Sequence, residues 1–285
     1  YENSEIARYI FDQAGEELDL DMKELCFEEN VRLDLTEYTQ AAMVTTCLAM
    51  TRVAESKGLK ADITAGLSLG EYPAIAAAGG MNDMDAIRLV RKRGILMQNT
   101  VPAGEGAMCA VISMAAEEIE KVIEPIADVS VANYNCPGQI VIGGEVAAVD
   151  KAAEVALELK AKRVVPLNVS GPFHTSLLEP ASKKLAEKLN QVSFGNMNIP
   201  VVFNTTAKEL QSDETIAGLL TKQIMSSVYL EDSIRYMIDR GIDTFLEIGP
   251  GKVLSGFIKK ISKDVSIYQV EDVASLTKTL ESIKE

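Results

Sequence analysis

Apolar positions in the first sixty residues recur at the spacing of amphipathic helices. The stretch from Ala41 to Val53 carries them most densely, and Gly58 supplies a stop signal behind it. We therefore predict that residues 1–60 are mainly helical. The next apolar run, Asp62 to Ala65, has the length of a short strand. It leads directly into Gly66-Leu67-Ser68-Leu69-Gly70.

From residue 71 onward, helical and strand patterns alternate. The pattern predicts a small-residue helix from Glu71 to Ala78 and a second helix over residues 83–100. After residue 170, helices are predicted over 176–190, 214–225, 231–240 and 253–262, and strands over 201–203, 244–248 and 266–270. Strands that alternate with helices predict an α/β fold with a parallel, doubly wound sheet.

Residues 104–170 have a different rhythm, in which the predicted order is strand, helix, strand, strand, helix, strand. Asn135-Cys136-Pro137-Gly138 marks the turn between the two middle strands. This βαββαβ order is that of a ferredoxin-like unit. We therefore expect a small ferredoxin-like domain at 104–170, inserted into an α/β domain made of residues 1–103 and 171–285. The predicted strands are 106–114, 129–134, 139–142 and 163–169, and the predicted helices are 115–126 and 146–159.

Charge and hydropathy narrow the classes of function. The formal net charge is −14, which disfavours nucleic-acid binding because a binder needs a basic face that neutralises phosphates. No apolar run approaches the ~18 residues that a membrane-spanning helix requires, so we expect no membrane insertion.

The chain has four cysteines, none of them in a C-x-x-C pair, and one histidine. So few Cys and His ligands predict no zinc site. We expect all four cysteines to be free thiols in a reducing cytoplasm, which is the predicted location of the protein. They are Cys26, Cys47, Cys109 and Cys136.

The candidate nucleophile is Ser68, which stands in a G-x-S-x-G sequence between a predicted strand and a small-residue helix. Glycines flank a serine on such a sharp turn because a Cβ atom there would collide with backbone. The Leu69 N–H lies at the start of the following helix, where unpaired donors favour negative charge. A chance occurrence of the motif in a tight turn is the alternative.

A serine hydroxyl needs a base at neutral pH, and His174 is the only histidine available. It lies in a predicted loop between the inserted domain and a helix. The alternative is a polar surface histidine.

A third feature is the basic run Arg91-Lys92-Arg93. An arginine that reached the Ser68 pocket would bind a substrate carboxylate through two parallel hydrogen bonds. A solvated helix face is the alternative for this run.

Five motifs resemble those of malonyl-CoA:acyl carrier protein transacylases and occur in the order of that family. Together they extend over nearly the whole chain. They are Gly66-Leu67-Ser68-Leu69-Gly70-Glu71-Tyr72 (G-H-S-L-G-E-Y), Arg93-Gly94 with Met97-Gln98 (R-G-x-x-M-Q), Asn133-Tyr134-Asn135-Cys136-Pro137-Gly138-Gln139 (N-x-N-S-P-G-Q), Gly171-Pro172-Phe173-His174, and Glu247-Ile248-Gly249-Pro250-Gly251-Lys252-Val253-Leu254 (E-x-G-P-G-x-V-L).

The resemblance implies a hydrolase-like α/β domain with a ferredoxin-like insert. It also implies that malonyl-CoA acylates Ser68 and that the phosphopantetheine thiol of acyl carrier protein then takes the malonyl group. His174 would be base and acid, Arg93 and Met97 would contact substrate, and Leu69 N–H would hold the oxyanion. Coenzyme A enters as a thioester substrate, so no separate cofactor is expected.

The resemblance further implies that a backbone carbonyl orients the histidine, and the matching stretch is Ser227-Val228-Tyr229. Two departures stand out. Leu67 replaces the usual histidine, and no sequence here matches the family's first strand and its G-Q-G-S-Q loop, which supplies a second oxyanion donor. We expect that segment to be absent from this chain and its absence to lower activity and stability.

Three other functions remain open at this point. A serine esterase would release the acyl group to water, and an acyltransferase could use acetyl or methylmalonyl groups instead of malonyl. An inactive domain could dock carrier protein without chemistry. Docking of an acidic carrier protein would use a local basic patch. The candidate patches are Lys160, Lys162 and Arg163, or Lys183 and Lys184. The protein is expected to be a monomer.

Overall fold

The computed structural model describes residues 1–283. The predicted end of the α/β domain at residue 285 lies outside the described residues. The helices are α1 Glu5–Leu18, α2 Met22–Phe27, α3 Thr36–Ser56, α4 Glu71–Ala77, α5 Asp83–Thr100, α6 Ala116–Ile123, α7 Val146–Glu158, α8 Glu179–Leu189, α9 Ile216–Gln223, α10 Leu230–Asp239, α11 Val253–Ile261 and α12 Val273–Ile283.

Strands and short 3₁₀ turns complete the mixed α/β structure. The strands are β1 Thr64–Ala65, β2 Gly106–Ile112, β3 Val129–Cys136, β4 Gln139–Glu145, β5 Arg163–Pro166, β6 Val201–Phe203, β7 Lys208–Glu209, β8 Val228–Tyr229, β9 Thr244–Ile248 and β10 Ser266–Val270. The 3₁₀ turns are Val31–Asp34, Ser68–Gly70 and Ser176–Leu178.

Most predicted elements are confirmed, and the long α5 has the predicted bounds. Asn82 caps α5, because its side chain accepts a hydrogen bond from Asp85 N–H at 2.8 Å. Three elements were not predicted: α12, and the two-residue strands β7 and β8. Strands of two residues carry no periodicity, whereas α12 has an apolar stripe that includes Leu276 and Leu280 and packs near Val270.

The predicted parallel, doubly wound sheet is found only in part within the residues described. Parallel pairs do occur, β1 with β6 and β9 with β10, but they lie in separate hydrogen-bonded sheets. The β1–β6 ladder has only two residue pairs, and β7 continues this sheet antiparallel on the other side of β6. Packing joins the two sheets instead, because Val202 of β6 shares one apolar cluster with Phe245 of β9 and Phe257 of α11.

The third sheet has the order β5-β2-β4-β3-β8. Its first four strands pair antiparallel and come from residues 106–166, and α6 and α7 pack beside them around a separate apolar core. Strand β8 joins the edge through a parallel pairing with β3. This edge connects the middle segment of the chain to the elements that carry the candidate site.

The largest core packs α1, α3, α4, α5 and α8 around β6. Helices α3 and α5 approach closely at Gly94, where a Cβ atom would lie 2.7 Å from the Cα atom of Glu37. A side chain at position 94 would therefore push the two helices apart. The close contact sets Gln40 of α3 against Arg93 of α5, which matters for the site below. No helix within residues 1–283 combines the length and apolarity needed to cross a membrane.

Candidate active site

Ser68 lies on the sharp turn between β1 and α4, as predicted. Its φ angle is +53°, a conformation that non-glycine residues rarely adopt and that costs ~1–3 kcal/mol. Gly66 allows this turn to close, because a Cβ atom at residue 66 would lie 2.0 Å from backbone atoms of Gly70. The backbone is thus strained at Ser68, the candidate nucleophile.

Ser68 and His174 are brought together across 106 residues of sequence. Ser68 Oγ lies 2.7 Å from His174 Nε2, and the histidine is 4% exposed. His174 Nδ1 lies 2.8 Å from the backbone oxygen of Gln223. Because a carbonyl oxygen only accepts, Nδ1 must carry the proton of the neutral ring, which leaves Nε2 to accept from Ser68 Oγ–H. The surface alternative for His174 is therefore wrong.

The carbonyl that orients His174 was predicted in Ser227-Val228-Tyr229, and this prediction is wrong. Gln223 is the last residue of α9, so its carbonyl belongs to the group that a helix leaves without intrahelical partners. The predicted stretch is engaged elsewhere: Ser227 Oγ donates to Val131 O at 2.6 Å, while Val228 and Tyr229 form β8.

Arg93 is fully buried, with 0% exposure, so the solvated-face alternative does not hold for this residue. Its Nη1 donates to Gln40 Oε1 at 2.8 Å. Its Nη2 donates to Gln223 Oε1 at 3.0 Å and to Ser68 Oγ at 2.9 Å. Each of these partners is neutral. Arg93 forms no ion pair within the described residues, and the buried carboxyl group of Glu71 acts on it only at longer range. A buried cation that is not directly paired is unfavourable, so the site favours an incoming anion beside Ser68.

The other residues of the basic run lie outside this site. Arg91 stacks over the ring of Tyr38, 4.2 Å from its centroid, and pairs with Glu37 at 2.7 Å. Lys92 is exposed. Of the three basic residues of this run, only Arg93 is fully buried.

Leu69 and Met97 occupy different places relative to Ser68. Leu69 follows the serine in the 3₁₀ turn Ser68–Gly70, whose first N–H groups have no partner within the turn. Met97 is 1% exposed, and its sulfur lies 3.5 Å from Gln40 Nε2. Met97 is therefore one side chain removed from Arg93.

Asn204, Gln223 and Gln40 were not predicted as site residues, although they surround Ser68 and Arg93. Asn204 Oδ1 accepts from Ser68 N–H at 2.7 Å, and Asn204 Nδ2 donates to Gly66 O at 2.6 Å. No local sequence signal marks these three residues, because their partners lie far away along the chain. A signal did exist for a fourth residue, Glu71, which follows the G-x-S-x-G sequence directly.

Burial dominates the electrostatics of the site. Burial, and then the positive charge of Arg93, lowers the pKa of His174 to about 4. Burial also lowers the pKa of Arg93 and raises the pKa of Glu71 to about 8. The histidine is thus the neutral base that acceptance of a serine proton requires.

No group of three or more His, Cys, Asp or Glu side chains able to hold a metal occurs in the part of the chain that the structure describes. All four cysteines are free thiols, as predicted. Burial raises the pKa of Cys26, Cys47 and Cys109 to about 11, so these thiols stay protonated at neutral pH.

Residues 9–281 match the acyl transferase domain family. The chain belongs to this family, whose match extends through both the Ser68 turn and the His174 loop.

Three similar proteins carry a malonyl transacylase activity in their names. The chain is 42% identical to the malonyl CoA-acyl carrier protein transacylase of Bacillus subtilis (strain 168), over 100% of this chain and 92% of that protein. The crystal structure of the malonyl CoA-acyl carrier protein transacylase from Clostridium perfringens superposes with a TM-score of 0.96 at 44% identity, covering 99% and 90% of the two chains. A third match is a malonyl-transacylase in complex with its type II PKS acyl-carrier protein (TM-score 0.94, 39% identity, coverage 97% and 91%).

Proposed function

We propose that this protein transfers the malonyl group of malonyl-CoA to the phosphopantetheine thiol of an acyl carrier protein. One observation carries the proposal: a fully buried arginine without a carboxylate partner, Arg93, lies 2.9 Å from the hydroxyl of a serine that also contacts a neutral histidine. A serine and histidine alone fit any acyl transfer. The buried arginine adds selection for an acyl group that carries its own carboxylate.

In the first half of the reaction, Ser68 Oγ attacks the thioester carbonyl carbon of malonyl-CoA while His174 Nε2 takes the hydroxyl proton. The Leu69 N–H donates to the oxyanion that forms on the carbonyl oxygen. When the C–S bond breaks, His174 returns the proton to the sulfur, so coenzyme A leaves as a thiol. The malonyl group remains as an ester on Ser68.

In the second half, the carrier protein's phosphopantetheine thiol gives its proton to His174 and attacks the ester. The C–O bond breaks, Ser68 Oγ recovers the proton from His174, and a malonyl thioester leaves on the carrier. The same residues thus act in reverse order, without a separate cofactor. Kinetics of the ping-pong type follow from the shared acyl-serine intermediate.

Arg93 also affects the pKa of His174, the proposed base. Its positive charge is the second cause, after burial, of the low pKa of His174. A malonyl carboxylate that pairs with Arg93 neutralises this charge, so the pKa of His174 rises when substrate is bound. Binding of the acid-bearing substrate therefore makes the base stronger.

This coupling predicts two different acid limbs in the pH dependence of acylation. Protonated His174 cannot accept the serine proton, so the rate falls as the pH drops through its pKa. We expect kcat/KM, which reports the free enzyme, to fall near pH 4, and kcat, which reports the complex, to fall at a higher pH. Stopped-flow release of coenzyme A between pH 3.5 and 8 measures both. Coincident limbs would contradict the coupling.

The proposed function is tested by weighing the intact protein after incubation with malonyl-CoA or acetyl-CoA, then adding carrier protein with its phosphopantetheine arm. We expect a malonyl adduct that passes to the carrier. Arg93→Met should lower acylation by malonyl-CoA about 10²-fold, because two charge-assisted hydrogen bonds are lost, and acylation by acetyl-CoA much less. Arg88→Met removes a more exposed arginine of the same helix and serves as the control.

The outcomes separate the other functions. Release of free malonate with no transfer to carrier would indicate an esterase, and faster acylation by acetyl-CoA would indicate another acyl substrate. Carrier binding without any adduct would indicate an inactive docking domain. Each of these results would reject malonyl transfer.

The finer description of the fold belongs to the same proposal. The antiparallel order β5-β2-β4-β3 supports a ferredoxin-like domain at residues 104–170, inserted into a hydrolase-like domain that contains 1–103 and the residues after 170.

The net charge of −14 supports a protein that does not bind nucleic acid. We propose a cytoplasmic monomer. Gel filtration with light scattering tests the oligomeric state.

A further inference from the structure

Glu71 is a buried acid beside the candidate active site that the proposed reaction does not use. It is the first residue of α4 and is 1% exposed. None of the ion pairs found within residues 1–283 includes it. Arg93 acts on Glu71 only at longer range, so this buried carboxyl group has to be stabilised mainly by hydrogen bonds.

Both carboxyl oxygens of Glu71 accept hydrogen bonds from neutral groups. Oε1 accepts from the backbone N–H of Asn204 at 2.6 Å, and Oε2 accepts from the side-chain amide of Gln223. Asn204 directly follows β6, and Gln223 ends α9. Glu71 therefore ties the helix behind the serine to two other elements.

These two partners hold the strained serine from both sides. Asn204 Oδ1 accepts from Ser68 N–H at 2.7 Å, and Gln223 Nε2 donates to Ser68 O at 2.8 Å. The φ angle of +53° at Ser68 persists only where surrounding groups fix it. Glu71 holds both of the groups that do so.

Glu71 is also one of three groups that hold the Gln223 amide with its oxygen toward Arg93. An amide side chain has one acceptor and one donor group, and its orientation follows its hydrogen bonds. Ser68 O and Glu71 Oε2 both accept from the NH₂ group of Gln223, and Arg93 Nη2 donates to its Oε1 at 3.0 Å. The two donors that bond to Glu71, Asn204 N–H and the Gln223 NH₂ group, favour its ionised form and oppose the rise in pKa that burial causes. The backbone oxygen of the same glutamine orients His174.

We propose that Glu71 is a positioning residue, which together with Ser68 O anchors the Gln223 amide and thereby holds Arg93 in place beside Ser68. This inference rests on the proposed function, because it concerns the group that recognises the malonyl carboxylate. Glu71 itself touches no substrate atom in this scheme. Glu71 acts on Arg93 through Gln223.

Glu71→Gln tests the proposal by reversing the polarity of one hydrogen bond at constant size. The new amide keeps its oxygen toward Asn204 N–H and presents NH₂ to Gln223. Two NH₂ groups then face each other, which weakens the anchoring of Gln223 and its contact with Arg93 Nη2. At pH 9, above the pKa of about 8 of Glu71, we expect the ratio of kcat/KM for malonyl-CoA to kcat/KM for acetyl-CoA to fall about tenfold, mainly through a higher KM for malonyl-CoA.

The control is Asp83→Asn, which weakens another partly buried carboxylate. Asp83 accepts two hydrogen bonds from Arg52 and lies ten residues before Arg93 on α5, ~15 Å along the helix. We expect it to lower the Tm and leave the ratio unchanged. An unchanged ratio in folded Glu71→Gln, or equal losses with both substrates, would overturn the proposal and leave Glu71 a purely structural role.

A second variant keeps the test decisive if Glu71→Gln does not fold. Gln223→Met removes the amide and leaves Glu71 in place, so it should lower the same ratio. A retained ratio in Gln223→Met would also overturn the proposal. Failure of the proposed function is a different result, since wild-type protein would then form no malonyl adduct at all.

Discussion

Ser68→Ala is expected to abolish the malonyl adduct and to lower the rate of malonyl transfer by a factor on the order of 10⁶. In the proposed reaction, Ser68 Oγ forms the ester bond to the malonyl group. Alanine removes this oxygen, which both His174 Nε2 and Arg93 Nη2 contact. Intact-protein mass spectrometry after incubation with malonyl-CoA measures the adduct, and release of coenzyme A measures the rate.

Ser113→Ala is the matched control for this substitution. Ser113 has a φ angle of +65°, so both variants place an alanine in the left-handed region, but Ser113 is exposed after β2. We expect the full adduct with Ser113→Ala. A malonyl adduct that persists on Ser68→Ala would show that another residue is the nucleophile and would reject the proposed site.

His174→Ala is expected to lower the acylation rate by about 10⁴-fold or more, while malonyl-CoA still binds. Without the imidazole, no group takes the Ser68 proton, because Arg93 and the Leu69 N–H can only donate. Arg93 is retained and still pairs with the malonyl carboxylate in the proposed reaction, so the loss should be found in kcat rather than in KM. Single-turnover acylation at saturating malonyl-CoA measures this difference.

Added imidazole provides the control for His174→Ala. The substitution removes a ring from a site that is 4% exposed and leaves space for a small base. We expect imidazole to restore part of the acylation in His174→Ala and none in the double variant with Ser68→Ala. Restoration in the double variant would mean that imidazole itself carries the acyl group, and a modest loss in the single variant would reject His174 as the base.

The local part of the site could be predicted because short segments determine it. Gly66 and Gly70 enclose Ser68 in a turn that tolerates no Cβ atom at residue 66, and this constraint is visible in five consecutive residues. His174 was identifiable because the chain contains one histidine. The bounds of α5 were predictable from its apolar period and the Asn82 cap.

Predictions failed where several conformations satisfy the same local pattern. The carbonyl that orients His174 was predicted at Ser227 or later, whereas the structure has it at Gln223, four residues earlier. Any backbone carbonyl has the same chemistry, so only packing selects Gln223. Strand alternation predicted parallel pairing but not its division between two sheets, which share the apolar cluster of Val202 and Phe245.

The sequence by itself indicated Ser68 and His174 as candidate nucleophile and base, the α/β class and the acyl transferase motifs, because these depend on residue type and on local sequence patterns. The tertiary structure alone decided the burial of Arg93 and the network of Glu71, Asn204 and Gln223 that holds it. The hydrogen bonds of Ser68 with Asn204 and Gln223 join residues 136 and 155 positions apart. Such contacts form only when β6 and α9 pack against the Ser68 turn, and no short segment encodes that packing.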